Sequence, residues 1–328
     1  MNEVSPFAKN SWAFELALTL LSLFCYLAQA FIIFAPLPIL YLHQGNPGRR
    51  YSKLWILFAA LLGLGICSLT LKPSYALGYL FLVILPAFVM GEFLSRKKSP
   101  EMAVSMSILG ICLAIFFSIT LYCAVKNYSP LHYVQSTLTE SIRGYIEQFV
   151  QSASASASEA ELRELEIIRK QPELILEVMP GLILSGILAL CIIPLIIIIR
   201  WNPKGFQMRT GIPRDFLRRW RAPEWLIWPT ILSYIVSAEL LPVQTKILPI
   251  LGKTVLLPLL VIYFFQGMSI LEYFMDLLRL RGFVRMFIYL FGIIAVIKLK
   301  WFFVILLIIG FGMADLWIVF RKGVRSKQ

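Results

Sequence analysis

Residues 180–199 have the sequence PGLILSGILALCIIPLIIII, which is apolar throughout and contains no charged side chain. A helix needs about 20 such residues to cross the hydrocarbon core of a bilayer. A similar stretch, WFFVILLIIGFGMA, occupies residues 301–314, and others recur along most of the chain. Because these stretches are continuous and do not alternate with polar residues, we predict transmembrane helices rather than a β-barrel.

The composition agrees with a membrane protein and excludes an ordinary soluble domain. Of the 328 residues, 59% are hydrophobic and only 15% are charged, whereas soluble domains carry about 25% charged residues. We predict an all-α, polytopic transmembrane helical bundle of about nine spans with one extramembrane helical insert. The predicted spans are residues 12–34, 54–71, 75–93, 102–125, 179–200, 225–243, 247–278, 286–297 and 301–320.

The first apolar stretch, residues 12–42, is too long for one ordinary crossing and is broken by Pro36 and Pro38. We predict a span over residues 12–34, followed by a short broken or re-entrant piece over residues 36–42. The N-terminus is outside if this piece belongs to the first crossing, and inside if it makes its own partial crossing. Ala28-Gln29-Ala30 resembles a signal-peptide cleavage site, but the leader has no net positive charge and more apolar sequence follows at once, so we predict no cleavage.

Lysine and arginine are concentrated in every second loop between the predicted spans. Short loops rich in these residues stay in the cytoplasm, so we predict that these loops and the C-terminal tail are cytoplasmic. The net charge of +13 then requires no nucleic-acid partner, and anionic lipid headgroups are the expected partners of the basic loops. The residues concerned are Arg49, Arg50, Lys53, Arg96, Lys97, Lys98, Lys204, Arg209, Arg214, Arg218, Arg219, Arg221, Arg279, Arg281, Arg285, Arg321, Lys322, Arg325 and Lys327.

One polar segment, residues 126–178, interrupts the spans and carries five basic and eight acidic side chains, a net charge of −3. The alternation of basic loops places it outside the cell. We predict two amphipathic helices here, the second beginning at the capping-box residues Ser158 and Glu161. The chain thus divides into residues 1–125 with N-terminal spans, the insert 126–178, and residues 179–328 with C-terminal spans and cytoplasmic loops.

Polar side chains within the spans are the candidates for a binding site, because an ionisable group in the bilayer is costly and is retained for a use. Local partners account for two of the acids: Glu92 is four residues from Arg96, and Asp276 is three residues from Arg279. We predict substrate-binding roles first for Gln266 and Glu272, and then for Asp315 and Gln29. The complete set of candidates is Glu15, Gln29, Glu92, Glu239, Gln266, Glu272, Asp276 and Asp315.

Catalytic and metal-binding patterns are absent from the sequence. It contains no HExxH, GxSxG, P-loop or GxGxxG motif. The five cysteines lie in or at the ends of apolar runs and form no CxxC pair, and His43 and His132 are far apart. We therefore predict that the protein is not an enzyme and holds no metal or cofactor.

Three C-terminal segments resemble the YybS-like family, a group of multispanning bacterial membrane proteins. They are RAPEWLIWPTILSYI at 221–235, LLVIYFFQGMSILEYF at 259–274 and GFGMADLWIVFRK at 310–322. The segment PLPILYLHQGNPGRR at 36–50 is also similar to S components of energy-coupling-factor transporters. This second resemblance implies a bound vitamin or metal ion and a small-xxx-small face on the first helix, here Ala13 and Ala17, that docks a membrane partner. Glu15 within that face, the extra spans and the insert depart from the pattern.

Together these features favour a multi-pass protein of the bacterial inner membrane. The leading hypothesis is a transporter-like, small-molecule-binding or permease component. The alternative is a scaffold that binds other membrane proteins, for instance in envelope growth.

Overall fold

The computed structural model describes residues 11–44, 52–70, 73–153, 172–201, 210–213, 216–238, 247–280, 282–298 and 302–318, with the single residues 207 and 240. Every regular element in these residues is a helix, which confirms the predicted all-α class. Five apolar helices of 10–17 residues are present, and four helices are long and apolar enough to cross a membrane; the total of nine spans stays a prediction. The four are Pro73–Ser95, Pro100–Lys126, Glu177–Arg200 and Leu248–Leu277.

The chain forms two compact units, which do not follow the linear order of the sequence. The N-terminal unit contains residues 1–127 and 186–214, and the C-terminal unit contains residues 128–185 and 215–328. The boundary near residue 127 lies close to the start of the predicted insert. The predicted boundaries at 125 and 178 follow membrane topology and not packing, so they stay a prediction.

One helix of the N-terminal unit, α5 (Pro100–Lys126), begins and ends at local sequence signals. Helix α5 shows both signals: Ser99 accepts a hydrogen bond from the backbone N–H of Met102 (3.3 Å), and Asn127 adopts a left-handed conformation with φ 54°. The five helices are α1 (Ser11–Leu27), α2 (Pro36–Gln44), α3 (Ser52–Thr70), α4 (Pro73–Ser95) and α5 (Pro100–Lys126).

Helix α1 ends seven residues before the predicted end of the first span, and this part of the prediction is wrong. The helix stops at Leu27, and Gln29 has a positive φ of 46°, a conformation that no helix interior accepts. After a short 3₁₀ turn, α2 begins at Pro36, because proline suits the first position of a helix and not its interior.

Helix α2 returns antiparallel to α1, so the two form a hairpin. The Ser22 hydroxyl donates to the Ala35 carbonyl over 2.7 Å, and the rings of Phe14 and Tyr41 lie 6.2 Å apart. An earlier residue of α1 thus contacts a later residue of the returning chain: Phe14 meets Tyr41, whereas Ser22 meets Ala35. Residues 11 and 44 therefore lie at the same end of the hairpin. This geometry favours the alternative in which residues 36–42 make their own partial crossing and the N-terminus is inside.

We expect a tag at the N-terminus and a tag inserted at residue 46 to be reached from the same side of the membrane. The hairpin brings the chain back to its starting level by residue 44. Cleavage or labelling by impermeant reagents in intact cells and in inverted vesicles measures this. Tags that react from opposite sides would contradict the hairpin.

The C-terminal unit begins with the first predicted insert helix, which is present as α6. The second predicted insert helix, with Ser158 and Glu161, lies outside the described residues. Helix α7 passes from this unit into the N-terminal one at Gly186. The elements are α6 (Pro130–Ala153), α7 (Pro172–Trp201), α8 (Phe216–Arg219), α9 (Ile227–Ser237), α10 (Ile247–Leu277), α11 (Gly282–Lys298) and α12 (Phe302–Ala314).

Helices α10 and α12 meet through two glycines. A Cβ added to Gly267 would collide with the backbone carbonyl of Ile308, and a Cβ added to Gly312 would collide with the carbonyl of Tyr263. Only glycine permits backbones to approach so closely. Lipid tails are as apolar as leucine, so helices in a bilayer associate by this close packing and not by the hydrophobic effect.

Candidate functional site

A non-helical stretch of chain, residues 220–223, runs along the centre of α10. Arg218 pairs with Asp276 (Nε to Oδ2, 2.6 Å), and the backbone N–H of Ala222 donates to Gln266 Oε1 over 3.2 Å. Further on, Gly252 of α10 lies against Ser237 at the end of α9. The segment from α8 to α9 is therefore antiparallel to α10 over most of its length, and it is unwound between the two helices.

The unwound stretch lies beside the middle of the part of α10 that runs between its two charged contacts. One end of α10 is marked by Lys253, whose Nζ is 2.5 Å from Glu177 Oε2, and the other by the ion pairs of Asp276. These charges are 23 residues apart, about 35 Å at 1.5 Å per residue, close to the thickness of the hydrocarbon core of about 30 Å. Along the helix axis, Gln266 lies about 20 Å from Lys253 and about 15 Å from Asp276.

Gln266 is fully buried and joins three segments of the chain. Its Oε1 accepts from the Ala222 backbone N–H, and its Nε2 donates to Asp315 Oδ2 over 3.1 Å. One side chain thus satisfies a backbone donor of the unwound stretch and a carboxylate beyond the end of α12. Two of the predicted site residues, Gln266 and Asp315, are brought together by this contact.

Arg221 supplies the charge that balances Asp315. Its Nε is 3.6 Å from Asp315 Oδ2, and its guanidinium also donates to the carbonyls of Asp315 and Leu316 (3.2 Å for Leu316). A second carboxylate, Glu224, is 3.6 Å from Nη1. The guanidinium therefore caps the C-terminal end of α12, where unpaired carbonyls favour a cation. The side chain of Asp315 is 3% exposed and that of Glu224 is 73% exposed.

Replacing Gln266 with leucine is expected to destabilise the protein by about 1–3 kcal/mol, because the N–H of Ala222 would be left buried without an acceptor. Ser237→Ala is the control, since its hydroxyl donates only within its own helix turn, to the carbonyl of Tyr234. Unfolding of both variants in mild detergent measures the difference. Equal stabilities would show that the Gln266 amide does not anchor the unwound stretch.

The predicted local pair between Asp276 and Arg279 is not what the structure shows. The carboxylate of Asp276 pairs instead with Arg218 from α8 and with Arg285 from α11. Arg279 has a left-handed φ of 52° as the chain leaves α10, and Arg285 also donates to the Leu280 carbonyl over 3.0 Å. Three segments therefore meet at this end of the unit.

The contacts described for the Gln266 cluster do not include the remaining predicted residues. Glu272 is half-buried on α10, six residues beyond Gln266 and about 240° around the helix. Gln29 is exposed at the turn between α1 and α2 in the N-terminal unit. Glu239 lies outside the described residues. No contact described for the cluster includes Glu272 or Gln29.

Helix α1 has two distinct faces. Glu15, Thr19 and Ser22 are buried on one side, and the Ser22 hydroxyl lies 3.2 Å from the hydroxyl of Tyr79. Ala13 and Ala17, predicted to dock a partner, are both exposed.

The predicted contact of Glu92 with Arg96 is confirmed at 2.8 Å, and Lys53 adds a second ion pair at 3.2 Å.

Sequence reasoning missed Arg221 as a site residue. It belongs to a run of basic residues that the charge pattern assigns to a cytoplasmic loop, and its partner is 94 positions away. The proline that follows Ala222 was the available signal, because a residue before proline is pushed out of the helical conformation. Among the described residues, no three His, Cys, Asp or Glu side chains lie together as a metal site would require.

A family model described as "Predicted membrane protein (DUF2232)" matches residues 13–316 of the chain. The match spans every segment that builds the Gln266 cluster and both faces of α1. Comparison with curated proteins and with solved structures gives no significant match.

Proposed function

We propose that this chain, which belongs to the DUF2232 family of predicted membrane proteins, is a small-molecule-binding or permease component of the bacterial inner membrane. Its ligand would bind at the unwound stretch 220–223, beside Arg221, Asp315 and Gln266. The observation that carries the proposal is the non-helical backbone beside the middle of α10, next to the buried carboxylate of Asp315 and its ion pair with Arg221. From the spacing of the charged contacts along α10 we infer that this level is near the membrane centre.

Backbone without helical hydrogen bonds is tolerated at membrane depth only where protein buries it or where it lines a water-filled cavity. Many transporters place substrate sites at such interrupted helices near the midplane. An ionisable side chain at this depth is costly and is kept for a use. The resemblance to S components, which bind small molecules, is consistent with the proposal.

The test is ligand-dependent thermal stabilisation of the purified chain in mild detergent, against a panel of anionic, neutral and cationic metabolites. A ligand at a hundred times its dissociation constant stabilises its protein by about 2.7 kcal/mol. Asp315→Asn should remove the response, and Ser237→Ala should retain it, because Ser237 lies at the far end of α9. No response to any compound would overturn the proposal.

A scaffold role is the second candidate, and the exposed face of α1 favours it. Ala13 and Ala17 are one helical turn apart on the side opposite the buried Glu15, and small residues at this spacing permit close helix contacts in membranes. Replacing both with leucine should abolish co-purification of a membrane partner, and Gly65→Leu, on α3 with open space at the Cβ position, is the control. Unchanged recovery of every partner would overturn this role.

A further inference from the structure

We propose that the acceptors around the Arg221 guanidinium form a binding site for an organic cation, a site that the chain's own arginine fills in the conformation described here. The inference rests on the proposed function and names its ligand class. The ligand would be a small molecule that carries a guanidinium or a primary ammonium group.

The acceptors that surround Arg221 are the kind that recognise a cation. Two are the carbonyls of Asp315 and Leu316 beyond the last turn of α12, where the helix dipole is negative. Two more are the carboxylates of Asp315 and Glu224, each 3.6 Å from a guanidinium nitrogen. Carbonyl and carboxylate oxygens match the planar fork of N–H groups that a guanidinium presents.

Arg221 can leave these acceptors without breaking a helix. It stands on the unwound stretch, where its backbone is outside the hydrogen-bond ladders of α8 and α9. The hydrogen bonds described for the backbone that follows it are those from Ala222 N–H to Gln266 and from Leu226 N–H to the Pro223 carbonyl. The guanidinium can leave by rotation of its own side chain, which is 25% exposed, while Ala222 stays buried in one cluster with Tyr263 and Ile309.

Charge balance favours a cation over an anion at this site. A cation that replaces the Arg221 guanidinium leaves the total charge beside the buried Asp315 unchanged. An anion would bring a third negative charge next to Asp315 and Glu224, which is costly where the dielectric is low. The two carboxylates also differ in exposure: Glu224 is exposed, and Asp315 is almost fully buried. An entering cation would therefore meet Glu224 first and Asp315 second.

The experiment uses the full chain in mild detergent, with Arg221→Ala emptying the site and guanidinium chloride at millimolar concentration as the probe. Urea, which has the same shape without charge, and sodium chloride at the same ionic strength are the controls. Charged hydrogen bonds of about 1.5–3 kcal/mol correspond to roughly a tenfold to hundredfold change in affinity. Guanidinium should therefore stabilise Arg221→Ala at concentrations at least about tenfold lower than it does the double variant Arg221→Ala, Asp315→Asn.

Equal responses of the single and double variants, or an equal response to urea, would overturn the cation site. If Arg221→Ala cannot be recovered in folded form, it should be recovered when guanidinium is present throughout purification and not when urea is. Recovery in neither condition also overturns the site. Stabilisation of the unmodified chain by an anionic or neutral compound, without a guanidinium effect on Arg221→Ala, would overturn the cation class and leave the proposed function standing.

Discussion

Replacing Arg221 with alanine is expected to destabilise the protein by about 3–5 kcal/mol, because it removes the guanidinium that pairs with the buried carboxylate of Asp315. Asp315→Asn should be costly as well, since it removes the buried one of the two carboxylates that balance the guanidinium and leaves the exposed Glu224. The double variant Arg221→Ala, Asp315→Asn should be more stable than the sum of the two changes predicts, because it removes both charges together. Reversible unfolding in mild detergent, followed by tryptophan fluorescence, measures all three.

The control for this cycle is the exposed ion pair between Glu92 and Arg96. Its partners are four residues apart on one helix and the arginine is largely in the open, so Arg96→Ala should cost only about 0.3–0.5 kcal/mol. Additive effects of the two substitutions at Arg221 and Asp315 would mean that the two side chains do not act as a pair. The capping of α12 by Arg221 would then be the whole of its role.

Gly312→Ala is expected to destabilise the protein by about 1–3 kcal/mol through overpacking, whereas Gly310→Ala should be neutral or stabilising by up to about 1 kcal/mol. Both glycines lie in α12, two residues apart, and both gain the same methyl group. The Cβ of the first would collide with the Tyr263 carbonyl, whereas that of the second would meet open space. The difference between the two variants therefore isolates the close approach of α10 and α12.

Thermal unfolding of the two alanine variants in the same detergent is the measurement. Gly267→Ala provides an independent check, because its Cβ would collide with the Ile308 carbonyl from the opposite helix. If Gly312→Ala and Gly310→Ala unfolded at the same temperature, the glycine contact would not hold these helices together.

Hydropathy was sufficient to place most helices, because a lipid environment imposes length and polarity on every segment that crosses it. The predicted spans at 54–71, 75–93 and 102–125 correspond to α3, α4 and α5 within a few residues. Two spans were exceptions: the last helix ends at Ala314 and not at the predicted residue 320, and the first ends at Leu27 and not at residue 34. A continuous apolar run carries no signal for a break at Leu27, since the chain leaves the helix nine residues before the first proline.

The candidate site could be predicted only in part. A polar amide or carboxylate in an apolar run is conspicuous, so Gln266 and Asp315 could be selected from the sequence. No local pattern indicated that the two side chains contact each other. Arg221 did not stand out, because a basic residue among others follows the charge rule for loops. The pairs made by Asp276 show the same limit: the nearest cation along the chain was the expected partner, and packing brought two distant arginines instead.

The distance along the chain between Arg221 and its partner has a consequence for biosynthesis. The ribosome must add 94 residues after Arg221 before Asp315 exists, which takes roughly 5–20 s at about 5–20 residues per second. Until then the arginine has no buried counter-ion and will wait at the lipid surface. We therefore expect the segment around Arg221 to pack only after the last helix has been synthesised. In truncated products Arg221 should remain accessible to the proteases that degrade incomplete membrane proteins.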